Sequence, residues 1–341
     1  MTPERQATGQ PTPALLFDTI NAYQRTEAIK SAIELGLFTA IAAGNTTAKD
    51  IAQACGASER GARILCDYLV IIGLLNKQNG NYGLTPDSAM FLDRRSPAYM
   101  GTVIDFMLSP MLTDNFKQLT AAVRKGGTAS DEDTVVAPDH PVWVKFARAM
   151  VPMMAMPSQL LAPMVDPEAN QKLKILDIAA GHGLYGLAFA KRNPKAEVTA
   201  VDWPNVLEVA KENAQAAGVL DRYHTKPGSA FDVDYGTGYD IILLTNFLHH
   251  FDPATCETLL RKVRGALADG GRAVTLEFVP NDDRVTPPQA AAFSMMMLGA
   301  TPGGDAYTFA ELERMFQNVG FARSELHELP PTIQRVVISY K

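Results

Sequence analysis

The spacing of hydrophobic positions changes character twice along the chain. From residue 15 to 42 apolar residues recur at helical spacing and close on Leu35-Gly-Leu-Phe38, which predicts a helical opening. A second helix is predicted over Thr46-Thr47 to Cys55, with a threonine at its start as the N-cap. Gly56-Ala-Ser58 reads as a turn. Ser58 then caps a helix over 59–73 whose Ile64, Leu65, Tyr68, Leu69 and Ile72 share one face. Residues 74–84 predict a short β-hairpin around Asn79-Gly80. Helical patterning continues over 97–165. A Gly/Ser/Asp-rich loop at 126–133 interrupts it, and His140-Pro141 restarts it with a proline suited to a first helical turn.

From Leu173 the pattern alternates between short apolar runs and amphipathic stretches. Strands are predicted at 173–178, 197–201, 223–226, 240–244 and 271–278, with helices at 184–191, 205–217, 253–268 and 308–319. Two further strands, near 321–327 and 333–340, are too close in sequence for a parallel crossover and must be antiparallel. The prediction is an α/β fold: a Rossmann-like, seven-stranded, mostly parallel sheet with an antiparallel terminal hairpin. The helix, helix, hairpin order in front of it is that of a mostly helical winged-helix domain. The expected layout is a tail over 1–14, this domain over 15–100, a helical linker over 101–166 and the sheet domain over 167–341. The polar, Pro-containing stretch 163–172 marks the boundary.

Composition narrows the picture. At 341 residues with 47% apolar side chains, the chain can bury two cores. Its longest apolar runs fall short of a membrane span, and the polar first 14 residues lack a signal-peptide core. Cys55, Cys66 and Cys256 form no metal or redox spacing, so a cytoplasmic protein without disulfides or bound metal is expected. The net charge is −6 and no basic block stands out. The helix in the DNA-reading position carries only Arg60 and Arg63 and is otherwise mostly apolar, which argues against nucleic acid and for burial against another subunit. Methionines gather at 100–111, 150–164 and 295–297, as core filler or as an adaptable apolar pocket.

The stretch that carries chemistry is Ile175-Leu-Asp-Ile-Ala-Ala-Gly-His-Gly-Leu-Tyr-Gly186. It reads as a buried strand, a tight turn and a helix N-terminus, where a ligand can approach bare backbone. Gly181-x-Gly183-x-x-Gly186 also satisfies the dinucleotide fingerprint. Asp202, at the end of the next strand, can reach ribose hydroxyls, and Trp203 beside it can cover an adenine face. A nicotinamide dinucleotide and S-adenosylmethionine both bring an adenosine to such a site. Asp177, four residues before Gly181, would repel a pyrophosphate but not a methionyl ammonium.

Asp177-Ile-Ala-Ala-Gly181-His-Gly183, Val201-Asp202-Trp-Pro-Asn-Val206, Gly228-Ser-Ala-Phe231, Leu248-His-His-Phe-Asp252 and Gly303-Gly304 with Thr308 stand in a telling order. In this order the chain resembles the class I S-adenosylmethionine-dependent O-methyltransferases of the plant caffeate/acetylserotonin type, which carry an N-terminal winged-helix dimerisation domain. The resemblance implies a homodimer with a catalytic domain over 167–341, which releases S-adenosylhomocysteine after methylating a small-molecule acceptor. It places Asp177, Ala179, Gly181 and Gly183 around the methionyl part of the cofactor and Asp202 on the ribose. Trp203, Ser229, Ala230, Phe231 and Asn246 complete the cofactor set. His249 matches the family's catalytic base, and Glu277 the carboxylate that orients it. The family's second catalytic Glu is replaced by Ala306, with Asp305 adjacent as a substitute. Other departures are Ala179 and Ala180 for glycines, Ser229 for an acid and Phe251 for a Trp.

A neutral imidazole is a suitable base for a hydroxyl that must lose its proton to become nucleophilic. His250, one residue on, is expected to point elsewhere, as a capping or pocket residue. Phe146, Met150, Met153, Met154, Phe293 and Met297 would line an apolar acceptor cleft for an aromatic or polyketide-like hydroxyl compound. Three other readings stay open on the residues alone. One is the same cofactor used for cyclisation, decarboxylation or hydroxylation. The others are a non-catalytic winged-helix regulatory dimer and a nicotinamide enzyme.

Overall fold

The structure, a computed structural model, describes residues 11–130 and 141–341. The expected tail over 1–10, the loop at 131–133 and the helix start at His140 lie outside the described residues. The chain divides into two compact units, Met1–Gly101 and Thr102–Lys341.

In the first unit the helical opening is three helices: α1 (Ala14–Ile20), α2 (Ala22–Glu34) and α3 (Leu37–Ala42). The breaks fall at Asn21 and at Gly36, whose left-handed φ of 67° a side chain would disfavour. α4 (Ala48–Cys55) is capped by Thr47, the second threonine of the predicted start: its hydroxyl accepts the Asp50 N–H. Ser58 caps α5 (Glu59–Ile71) in the same way, through the Gly61 N–H. β1 (Leu75–Gln78) and β2 (Asn81–Leu84) pair antiparallel across Asn79-Gly80, and α6 (Pro86–Phe91) follows.

The second unit begins with five helices: α7 (Ile104–Met107), α8 (Pro110–Lys117), α9 (Leu119–Lys125), α10 (Pro141–Ala149) and α11 (Val151–Val165). The polar stretch read as a boundary starts inside α11, which runs through Pro157 and Pro163. Then come β3 (Leu173–Ile178), α12 (Leu184–Arg192), β4 (Ala196–Asp202), α13 (Pro204–Ala216), β5 (Tyr223–Pro227) and β6 (Tyr239–Thr245). α14 (Pro253–Ala266), β7 (Leu267–Glu277), α15 (Pro288–Ala300), α16 (Phe309–Asn318), β8 (Arg323–Glu328) and β9 (Arg335–Tyr340) complete it.

The seven-stranded sheet has the order β5-β4-β3-β6-β7-β9-β8, with β9 antiparallel to both neighbours and the rest parallel. This is the expected α/β fold. Alternate residues feed two cores. Ile175, Ile241 and Leu243 pack with Leu161, Tyr185 and Phe189 on one face; Leu176, Ile242 and Leu244 pack with Leu259, Leu260 and Phe316 on the other. A sheet covered on both faces explains why the central strands read as unbroken apolar runs. β3 and β6 are neighbours from which the chain winds in opposite directions. Their carboxyl ends therefore diverge into a crevice, where ligands bind in such sheets.

α15 has no counterpart among the predicted helices. Its Ala-Ala-Ala-Phe-Ser-Met-Met-Met core is apolar or small on every side, so no helical period shows.

Candidate active site

After β3 the backbone turns sharply. Ala179, Gly181 and Gly183 all have positive φ (54°, 57° and 77°), and Gly183 opens α12. Alanine at the first of these positions holds a left-handed conformation that costs about 1 kcal/mol. The turn is tied to β4 from below. Gly181 N–H donates to Asp202 Oδ2 at 2.8 Å, and Trp203 N–H to Oδ1 at 2.7 Å. Burial pushes the Asp202 carboxyl up to about 6, against the pull of these two donors.

Asp177 lies deeper. Its side chain is fully buried, Oδ2 accepts the Gly186 N–H at 3.0 Å, and Oδ1 has no partner. Burial raises its carboxyl to about 7. A Cβ on Gly186 would stand 2.7 Å from Val198 Cγ1 and 2.9 Å from Asp177 Oδ2, so this glycine serves the packing of α12 on the sheet. A Cβ on Gly183 would meet Tyr223 Oη at 2.6 Å.

Above the turn opens a cavity of about 550 Å³. Ala179, Gly181, Asp202 and Trp203 line it at the ends of β3 and β4, and Ser229, Ala230 and Phe231 after β5. Asn246, itself at a left-handed φ of 54°, lines it at the end of β6. Its Nδ2 donates to Tyr185 Oη at 3.1 Å, while Gln334 donates to its Oδ1. Among the described residues the lining holds three carboxylates, Asp202, Asp232 and Asp252, and no Lys or Arg. Backbone amides, a ribose-height carboxylate and an acidic field fit an adenosine bearing a cationic methionyl group. They fit a dinucleotide pyrophosphate poorly. Among the described residues no cluster of His, Cys, Asp and Glu could hold a metal ion.

Beyond Asn246 a 3-10 turn, Leu248–His250, presents two imidazoles. Glu277, the last residue of β7, organises that turn. Its Oε1 accepts the N–H groups of Phe247 (3.0 Å) and His249 (3.4 Å), and its Oε2 lies 2.6 Å from His249 Nδ1. Both residues are buried, at 5% and 4% exposure. A carboxylate on Nδ1 assigns the proton to that nitrogen and leaves the Nε2 lone pair as the basic site. The Phe293 ring meets His249 edge-to-face at 4.9 Å and stacks on Phe278 at 4.0 Å, which fixes the imidazole plane. Gly304 closes the turn from outside: a Cβ there would run into the His249 carbonyl oxygen. The His250 ring lies 4.3 Å from that of His249 and lines the cavity, and burial holds its pKa well below the usual value.

Two matches decide the family. Residues 117–322 match the O-methyltransferase domain, and residues 17–94 the O-methyltransferase dimerisation domain. The chain belongs to the O-methyltransferase family. The crystal structure of a chain from Nostoc punctiforme PCC 73102, assigned as an O-methyltransferase, is 60% identical; it covers 97% of this chain and 100% of its own, with a TM-score of 0.93. The 3-hydroxy-5-methyl-1-naphthoate 3-O-methyltransferase of Streptomyces sahachiroi is 30% identical over 90% of this chain and 89% of its own. The tetracenomycin polyketide synthesis 8-O-methyl transferase of Streptomyces glaucescens is 26% identical over 94% of each chain.

Within this O-methyltransferase the structure departs from the residue expectations in four places. His249, expected to face the acceptor, is absent from the cavity lining and lies just behind it, whereas His250, expected to point elsewhere, lines the cavity. Asp177 and Gly183 lie beneath the turn and line no part of the cavity, because the turn that exposes Gly181 folds over them. Asp305 is engaged elsewhere: Arg284 holds its Oδ2 at 3.0 Å and also pairs with Glu311, while Ala306 N–H takes Oδ1. Both of its carboxyl oxygens thus have partners within its own loop region. Met150, Met154 and Met297 are buried in cores, and neither they nor Met153 and Phe293 line the cavity. Phe146 does, with Trp143, Phe247 and the stretch 301–303, none of which except Phe146 was expected. Trp143 stands three residues before Phe146 on one helical face, and that spacing was the available signal. Thr301 and Pro302 carried no pattern, although Gly303 belongs to the Gly-Gly pair of the resemblance; Thr128 N–H donates to the Thr301 carbonyl at 2.8 Å.

Proposed function

We propose that this O-methyltransferase moves the methyl group of S-adenosylmethionine to a hydroxyl on a flat aromatic or polyketide-like acceptor, with His249 as general base. The observation that carries the reading is the buried His249–Glu277 pair at the carboxyl edge of the sheet, beside a cavity suited to the cofactor. The naphthoate and tetracenomycin enzymes among the relatives support the acceptor class.

The bound cofactor supplies an electrophilic methyl group on a sulfonium, so the protein has no leaving group to activate. Ala179 and Gly181 let the cofactor lie against backbone, and each Asp202 oxygen keeps a lone pair for a ribose hydroxyl. Phe231, set edge-on to Phe251 at 5.1 Å, covers the adenine, with Ser229 and Ala230 beside it. The chain's main tasks are then to hold an acceptor oxygen in line and to take its proton. His249 Nε2 accepts that proton. Glu277 keeps the Nδ1–H oriented and stabilises the imidazolium that forms, much as an aspartate does in a hydrolase triad. Trp143, Phe146 and Phe247 keep water from the reacting oxygen.

The same proposal includes a homodimer, which the dimerisation-domain match supports, and a cytoplasmic location, which three free thiols support. Among the described residues no helix is long and apolar enough to cross a membrane.

Incubation with S-adenosylmethionine and a panel of phenols, followed by mass spectrometry and NMR, tests the reading. The expected product gains one CH2 with an O-methyl carbon signal, and one S-adenosylhomocysteine forms per product. A methyl on carbon or nitrogen, or a product changed in any other way, overturns it.

A further inference from the structure

The bend that ends β6 is held by a buried polar chain. Asn246 takes a left-handed φ of 54° and donates its backbone N–H to the Leu276 carbonyl at 2.8 Å. Thr245 pairs with Leu276 in the sheet, so the bend falls directly beside Glu277. Asparagine visits the left-handed region more readily than most residues because its short polar side chain can bond locally. Here that side chain is fully engaged. Nδ2 donates to Tyr185 Oη at 3.1 Å and lies 3.6 Å from Met154 Sδ, and Tyr185 Oη donates to the same sulfur at 3.3 Å. On the other side Oδ1 accepts the Gln334 side-chain amide. Met154, Tyr185 and Gln334 are all buried.

A thioether sulfur accepts hydrogen bonds and cannot donate them. The direction of the whole chain follows. Tyr185 gives its proton to Met154, so its oxygen accepts from Asn246, and the amide oxygen is left for Gln334. Both amide hydrogens of Asn246 are therefore spent on protein partners, although the residue lines the cavity. The anchors come from three places: α11, the first turn of α12 and the residue before β9. Glu277 Oε1 collects the N–H groups of Phe247 and His249 because the chain leaves β6 in the direction this bend sets. Resting on the reading of His249 as base, we infer that Asn246, anchored by Tyr185 and Gln334, is a positioning residue that brings the His249 imidazole onto Glu277, and not a contact for the cofactor. Tyr185 acts at one further remove, through Asn246. A satisfied buried network of this kind is rigid, and removing one member leaves the others unpaired.

The test reads the imidazole itself and needs no turnover. Nitrogen NMR shifts of the histidine rings are recorded where the ring is neutral, on protein saturated with S-adenosylhomocysteine; His249→Gln identifies the His249 signals. The wild type is expected to show one tautomer, protonated at Nδ1 and bare at Nε2. Asn246→Ala should shift these signals toward the average of the two tautomers, with S-adenosylhomocysteine affinity within about a factor of two by isothermal titration. Tyr185→Phe, which keeps the ring and removes only the hydroxyl, should shift them the same way by less, and it carries the test alone if Asn246→Ala does not fold. Wild-type His249 signals in either folded variant overturn the inference. So does a loss of S-adenosylhomocysteine affinity of about tenfold or more in Asn246→Ala, which would place the amide on the cofactor. A wild-type His249 protonated at Nε2 would instead overturn the base reading itself.

Discussion

His249 is held by one carboxylate, and the consequences can be read atom by atom. With Ala306 where the family has a second Glu and Asp305 tied to Arg284, Glu277 is the carboxylate that meets His249 Nδ1 among the described residues. Glu277→Gln keeps the size but offers Nδ1 a weaker, uncharged partner. Turnover should fall by about 10²-fold, with S-adenosylhomocysteine affinity within a factor of two. Isothermal titration and initial rates check both halves. Asp177 governs a different property. Its carboxyl stands at about 7 in the folded chain against the usual 3.8, so its contribution is fully present below pH 4 and is lost as pH rises toward 7. His182, lowered to about 4 by burial, acts in the opposite sense: its contribution is lost as pH falls from 6.5 to 4. Asp177→Asn removes only the first. Its stability relative to wild type, from denaturant unfolding without cofactor, should rise between pH 4 and 7 by on the order of 4 kcal/mol at most. A flat difference would place the charge elsewhere.

The turns between elements carry the site, and their glycines differ in purpose. Gly304 is needed because the segment 301–304 presses on the backbone of the base. Gly304→Ala should displace His249 and lower kcat more than it lowers cofactor affinity. Ala179 is the converse case: a left-handed alanine where glycine is easier, so Ala179→Gly should raise or preserve stability by up to about 1 kcal/mol in thermal unfolding. The sheet was legible in the sequence because strands buried on both faces, such as β6, leave uninterrupted apolar runs. Asp202 stands at a strand end and so at the sheet edge, whereas His249 and Glu277 were singled out by resemblance to a family motif. The acceptor wall was not legible. Methionine clusters signal apolarity without direction, and Met150 before α11, Met154 in α11 and Met297 in α15 are buried in cores. Thr301 and Pro302 belong to no local pattern, and Thr301 pairs through its carbonyl with the distant Thr128 N–H.

At the scale of the whole chain, the first unit exposes Leu15, Leu16, Phe17, Ile20 and Tyr23 along and just beyond α1, a contiguous apolar set unusual for a free surface. With the dimerisation-domain match over 17–94, this is the surface on which a second copy is expected to sit. Phe17→Asp together with Ile20→Asp should convert a dimer to a monomer in sedimentation analysis; an unchanged dimer would move the interface elsewhere. Both of the chain's tryptophans, Trp143 and Trp203, line the cavity, so intrinsic fluorescence reports its occupancy directly. That signal allows cofactor binding to be separated from chemistry in every variant. The decisive measurement is the single-turnover rate of methyl transfer by His249→Gln, with cofactor saturation followed by tryptophan quenching. Wild-type-like cofactor binding with a rate at least about 10²-fold lower is the predicted result. A cofactor-saturated variant that transfers methyl within a few-fold of the wild-type rate would contradict His249 as the base.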